Sequence, residues 1–219
     1  MAKVSFDPFG WITRWVAPQT AHRAIRIGAI TVFAYFLTRR VAQYDDFLLK
    51  PLWIVETLIY VVLAAAFFVR IDPIDRSRGV REVLVPLAGG VLPFALLTTS
   101  PHPAIWKNPT ALYTVFWCMT LATALTIWGM WTSRRAFSIT VEARELVTSG
   151  PYRWIRHPIY AGEILTGAAV TVWRWSWLNA GLFVLFAAIQ LARARWEEQK
   201  LARVFPEYAA IARTRVWLW

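Results

Sequence analysis

The chain contains one cysteine, Cys118, and three histidines. A lone cysteine forms no intramolecular disulfide, and so few Cys and His argue against a zinc site built from those ligands alone. No G-x-G-x-x-G, G-x-x-x-x-G-K-[ST] or G-x-S-x-G sequence occurs, which argues against a soluble-type nucleotide fold or a hydrolase nucleophile elbow. Charged residues make up only 17% of 219, too few polar groups to cover a soluble domain of that size. Acidic residues are the scarcer sign, 13 against 24 Lys and Arg, for a net charge of +11. In a hydrophobic chain such an excess marks loops facing anionic lipid rather than a nucleic-acid partner. The first 23 residues hold Asp7, Arg14 and Arg23 without a clean apolar core, so no secretory signal is expected there.

What the chain has in abundance is apolar and aromatic surface. Hydrophobic residues account for 58%, with 14 Trp and a mean hydropathy of +0.43. This composition predicts an all-α polytopic membrane protein whose function sits in the membrane body or its short loops. Six segments approach the ~20 apolar residues that cross a ~30 Å bilayer core. They run from Ala24 to Ala42, Leu52 to Val69, Val83 to Thr99, Thr110 to Trp131, Ile159 to Val172 and Trp177 to Ala192. Arg26, Arg39 and Arg40 burden the first and the fifth is short, so five or six spans are expected. The stretch from Pro8 to Arg23, with Trp11 and Trp15, reads as an interfacial helix.

Alternate loops hold nineteen and five of the Lys and Arg residues. That asymmetry predicts cytoplasmic placement for both termini, the loop from Thr132 to His157 and the tail. Two regions follow: 1–131, an interfacial helix and spans without chemically useful clusters, and 132–219, where Tyr152, His157, Tyr160, Glu163, Glu197, Glu198 and Tyr208 crowd together.

Gly150-Pro151 marks a turn, and Pro158 suits the first turn of a helix, where a missing N–H costs nothing. His157 then falls at the cap, Arg156 just outside it, and Tyr160 and Glu163 follow along one face. Free N–H groups and a guanidinium at such a helix start would receive a carboxylate or phosphate. Gly162 would admit another backbone or a flat ligand. Glu163 and Glu56, each inside a span, call for a partner or a wet cavity. The last span continues as a charged helix with Gln190, Ala194, Glu197, Leu201 and Val204 on one face. A zwitterionic cofactor would fit between these two stretches.

These residues resemble the integral-membrane methyltransferases related to isoprenylcysteine carboxyl methyltransferase, which share a pattern with phospholipid methyltransferases. The likeness runs from Arg134-Arg135-Ala136-Phe137-Ser138-Ile139 through Glu145 to Tyr152, the Arg156-His157-Pro158-x-Tyr160-x-Gly162 block and Glu197-Glu198, to Phe205-Pro206-Glu207-Tyr208. Ile211 stands where a second tyrosine is common. The resemblance implies S-adenosylmethionine as cofactor and a lipophilic, isoprenoid or lipid-like methyl acceptor reached from the bilayer. It implies that Tyr152, His157, Tyr160, Gly162, Glu197 and Glu198 bind the cofactor and that Arg156 is the catalytic contact to an anionic acceptor or the cofactor carboxylate. No metal-ligand set is expected, given the single Cys and three His. A related block occurs in NADPH-dependent membrane sterol reductases, and a non-catalytic subunit bound to membrane-protein partners is a further alternative.

Overall fold

The computed structural model of the chain describes Trp11 and residues 14–217, apart from the side chains of residues 18, 19, 21 and 22. It is all-α, and the described residues form only two isolated β-bridges. The helices are α1 (Pro18–Ala42), α2 (Lys50–Val69), α3 (Gly79–Leu96), α4 (Pro103–Trp106), α5 (Pro109–Thr132), α6 (Pro158–Trp173), α7 (Trp177–Val204) and α8 (Tyr208–Arg213), with a short 3-10 turn at Gly150–Arg153. Proline in the first turn starts α1, α2, α4, α5 and α6. Asn108 caps α5 by accepting from the Ala111 amide, and Ser176 caps α7 by accepting from Asn179.

Four helices, α2, α3, α5 and α7, are long and apolar enough to cross a membrane. Their outward faces carry exposed Ile54, Phe68, Val91, Leu121 and Val184, as lipid contact requires. The first and fifth expected spans are the two that fall short by that measure. α1 has 25 residues but contains Arg26, Arg39 and Arg40, and α6 has 16, a rise of about 24 Å. The interfacial helix expected over Pro8 to Arg23 lies partly outside the described residues. Its end is corrected: from Pro18 onward the chain is the beginning of α1, because nothing between Pro18 and Arg26 breaks the helix. Leu218 and Trp219 also lie outside the described residues.

α5 and α6 form the most extensive pairing, with α1 on α2, α2 on α5 and α3 on α7. Gly162 makes the first possible. Its Cα face meets the Thr126 side chain and the Ala122 carbonyl of α5, leaving no room for a β-carbon. Glu56 has the partner its position demanded, an ion pair to Arg40 across α1 and α2.

The connections gather into two clusters at opposite ends of the bundle. At one end the Arg174 guanidinium donates to the carbonyls of Leu97 and Thr99, and Asn179 donates to Leu96, Thr99 and Arg174. At the other, the segments after α2 and α5 pair through Asp75 and Ala143, while Ile71 N–H donates to the Arg135 carbonyl. Lys200 of α7, fully buried, donates there to Glu82 of α3 at 2.7 Å, the Arg76 carbonyl at 2.9 Å and the Val141 carbonyl at 3.0 Å. α7, 28 residues long, rises about 42 Å, so its charged end beyond Ala192 projects past a ~30 Å core. The tail then folds back: Val216 accepts from Arg156 N–H at 2.8 Å and donates to Trp154 at 2.9 Å.

Candidate functional site

A cavity of about 930 Å³ runs through the bundle from the loop-and-tail end toward Trp173. That is near the upper end of the ~300–1,000 Å³ usual for small-molecule sites, and it spans two chemical environments. Toward the loops it is lined by Tyr152, Arg156, His157, Tyr160, Glu163, Arg193 and Glu197, toward the opposite end by Leu52, Leu96, Phe116, Val170 and Trp173, with Arg40, Asp46, Glu56 and Arg174 also lining that end. The lining includes Phe33, Phe36 and Tyr60 of α1 and α2, so the first 131 residues build its walls rather than merely accompanying it.

α6 starts at Pro158 with His157 at its cap, where the sequence placed them. His157 is buried, stacks on Tyr160 with ring centroids 5.7 Å apart, and lies edge-on to Trp217. Its Nδ1 is 3.8 Å from Glu197 and its Nε2 3.4 Å from Glu198, yet Nε2 makes no hydrogen bond. The Arg193 guanidinium covers the Tyr160 ring at 4.9 Å and donates to Gln190 at 2.7 Å and to the Ile139 carbonyl at 2.9 Å, leaving its Nε unpartnered. Gln190 in turn donates to Glu163. Tyr152 hydrogen-bonds Ser133, and burial, with Glu197 and Glu163 nearby, pushes its phenol up despite that bond. Unpartnered buried nitrogens on cavity-lining residues are what a ligand with acceptor atoms would satisfy.

The expected residues are thus largely brought together, with three differences of role. Gly162 packs against α5 and does not line the cavity. Arg156 reaches the cavity wall, but its Nη1 donates to Glu198 at 2.8 Å and its Nε to the Arg215 carbonyl at 3.3 Å, so it fastens the tail. Glu198 does not line the cavity, and it accepts from Arg156 and from Tyr208 at 3.2 Å. Burial works against its charge, but His157 and Arg156 outweigh it and hold the carboxyl at about 2. With the folded-state value depressed, the stabilisation is present above the ordinary carboxylate range and is lost as pH falls from ~4.3 toward ~2. Glu198→Gln should cost about 2 kcal/mol at neutral pH and flatten that acid limb in thermal melts followed across pH.

Sequence reasoning missed a second polar group. Buried Glu142 and Arg144 pair with each other; Ser138 donates to Glu142 at 2.9 Å, and Arg144 donates to the Ile71 carbonyl. Alternation of two residues in an extended segment was the only signal available, and nothing in it showed which side faced the cavity.

Residues 110–208, α5 to the start of α8, match the family model described as Phospholipid methyltransferase. Over that stretch, a little under half of the chain, the sequence is similar to the membrane methyltransferases of that family. Among curated proteins, the chain is similar to the cobalt-zinc-cadmium resistance protein CzcN of Cupriavidus metallidurans, 33% identical over 137 residues, 62% of this chain and 59% of the relative. The chain therefore spans less than two thirds of that relative's length.

Proposed function

We propose that this protein transfers a methyl group from S-adenosylmethionine to a lipophilic acceptor at the cytoplasmic face of a membrane. One observation carries the reading: a single cavity joins a polar chamber at the loop end to a passage between membrane helices whose walls are largely apolar and whose far end carries Arg40, Asp46, Glu56 and Arg174. A zwitterionic cofactor suits the chamber and an acceptor with an apolar tail suits the passage. The unpartnered Nε of Arg193 would hold the cofactor's carboxylate, Glu197 with the Tyr152 and Tyr160 hydroxyls its amino and hydroxyl groups, and the His157 ring would pack against it. When bound, that molecule supplies a methyl group already activated on sulfonium.

The protein's work is alignment and exclusion of water. The stacked rings of His157 and Tyr160 form one wall, and the tail, fastened through Arg156 and Glu198, closes another. Arg156 is then a positioning residue. The nineteen-to-five asymmetry of basic residues supports a cytoplasmic chamber, and regions 1–131 and 132–219 act as wall and reaction module.

Calorimetry of the purified protein with S-adenosylmethionine, S-adenosylhomocysteine and NADPH tests the reading. Binding of the first two without NADPH supports it; NADPH alone would make the protein a reductase, and no binding would leave a structural subunit. His157→Ala or Glu197→Ala should weaken S-adenosylhomocysteine by ~1–3 kcal/mol without impairing insertion into membranes.

A further inference from the structure

The cavity-facing side of α6 is graded. His157, Tyr160, Glu163 and Thr166 follow one another at three-residue steps from the loop end, and Val170 and Trp173 continue the same face into the apolar passage. Glu163 stands at the changeover. Its described polar partner is the Gln190 amide, a neutral group, so its charge has no direct ion pair. Below it, Thr166 lies 3.3 Å from Thr123, adding hydroxyls but no cation. Of the nearby guanidiniums, Arg156 is engaged by Glu198 and Arg215 and Arg144 by Glu142 and Ile71, while Arg193, held by Gln190 and Ile139, has only the Nε that the methyl-transfer reading gives to the cofactor.

A carboxylate acceptor brought to this point would set two like charges side by side in a low-dielectric passage. A head carrying O–H or N–H would instead donate to Glu163. From Glu163 to Trp173 is ten residues of helix, about 15 Å, along which an alkyl tail could lie. Resting on the methyl-transfer reading, we propose that Glu163 selects the acceptor: an amphiphile whose methylated atom is a proton-bearing oxygen or nitrogen, not a carboxylate. Methylation of such a head releases one proton for each methyl gained. The bonding electron pair stays with sulfur, the new bond uses a lone pair on oxygen or nitrogen, and the Glu163 carboxylate is placed to take the proton.

Binding of three dodecyl probes, 4-dodecylphenol, N-methyldodecylamine and dodecanoate, to the S-adenosylhomocysteine-loaded protein in nanodiscs tests this. The phenol or the amine should bind at least ~10-fold more tightly than the carboxylate, the penalty of one like-charge contact. Glu163→Gln should shrink that preference at least ~5-fold, read in protein that still folds and still binds S-adenosylhomocysteine. Equal or tighter binding of dodecanoate, no binding of any probe, or an unchanged preference in a folded Glu163→Gln protein overturns the proposal. If Glu163→Gln does not fold, the wild-type ranking decides alone. Failure of S-adenosylhomocysteine to bind wild type would instead count against the methyl-transfer reading.

Discussion

Lys200→Met is expected to destabilise the protein by about 3–5 kcal/mol, seen as a lower unfolding midpoint in detergent. Lys200 has no solvent exposure and donates to a carboxylate on α3, a carbonyl in the segment after α2 and another after α5. Methionine keeps much of the volume and removes the charge. Glu82 is then left without its cation, and two carbonyls lose a donor. Glu82→Gln added to Lys200→Met should cost less than the two single changes summed, by at least ~1 kcal/mol, because the stranded charge is gone. The same lysine holds together the segments that carry Arg144 and Tyr152 and the helix that carries Glu197. Lys200→Met should therefore also weaken S-adenosylhomocysteine, although Lys200 touches no part of the cavity.

The second large effect is expected at Gly162. A β-carbon there would lie 2.6 Å from the Ala122 carbonyl and 2.9 Å from the Thr126 amide, besides striking the Thr126 side chain. Two of those neighbours are backbone of the facing helix and have no rotamer to escape into. Gly162→Ala gains up to ~1 kcal/mol in helix propensity and loses more by forcing α5 and α6 apart, for a net cost of about 2 kcal/mol. Adding Thr126→Ala should restore only a part, since the backbone contacts persist. Gly181→Ala is the control: nothing lies within 4 Å of a β-carbon at that position, and its unfolding midpoint should stay level or rise.

The spans were legible because each is a run of apolar residues closed by Pro, Asn, Ser or a basic cluster. Pro158 announced α6 to the residue. The chamber was legible as a set, since His157, Tyr160, Glu163 and Glu197 sit at helical spacings. What spacing could not reveal was direction. Glu197 and Glu198 are adjacent in sequence and 100° apart on the helix, so one lines the cavity and the other clamps the tail. Gly162 read equally well as a ligand contact or a helix contact until α5 was in place. Nothing in the sequence singles out Lys200, because its partners lie 59 to 124 residues away. The N-terminal helices carry no motif, so their share of the cavity wall emerged only from packing.

The tail returns to the bundle by main-chain pairing between Val216 and the Trp154 to Arg156 stretch. Those bonds do not depend on side-chain identity. Between that seam and α7 lie Tyr208, Ile211, Ala212 and Arg215, all bordering the cavity. The segment is thus a replaceable cassette. Grafting its counterpart from a relative could alter which acceptors are admitted while the seam keeps the graft in register.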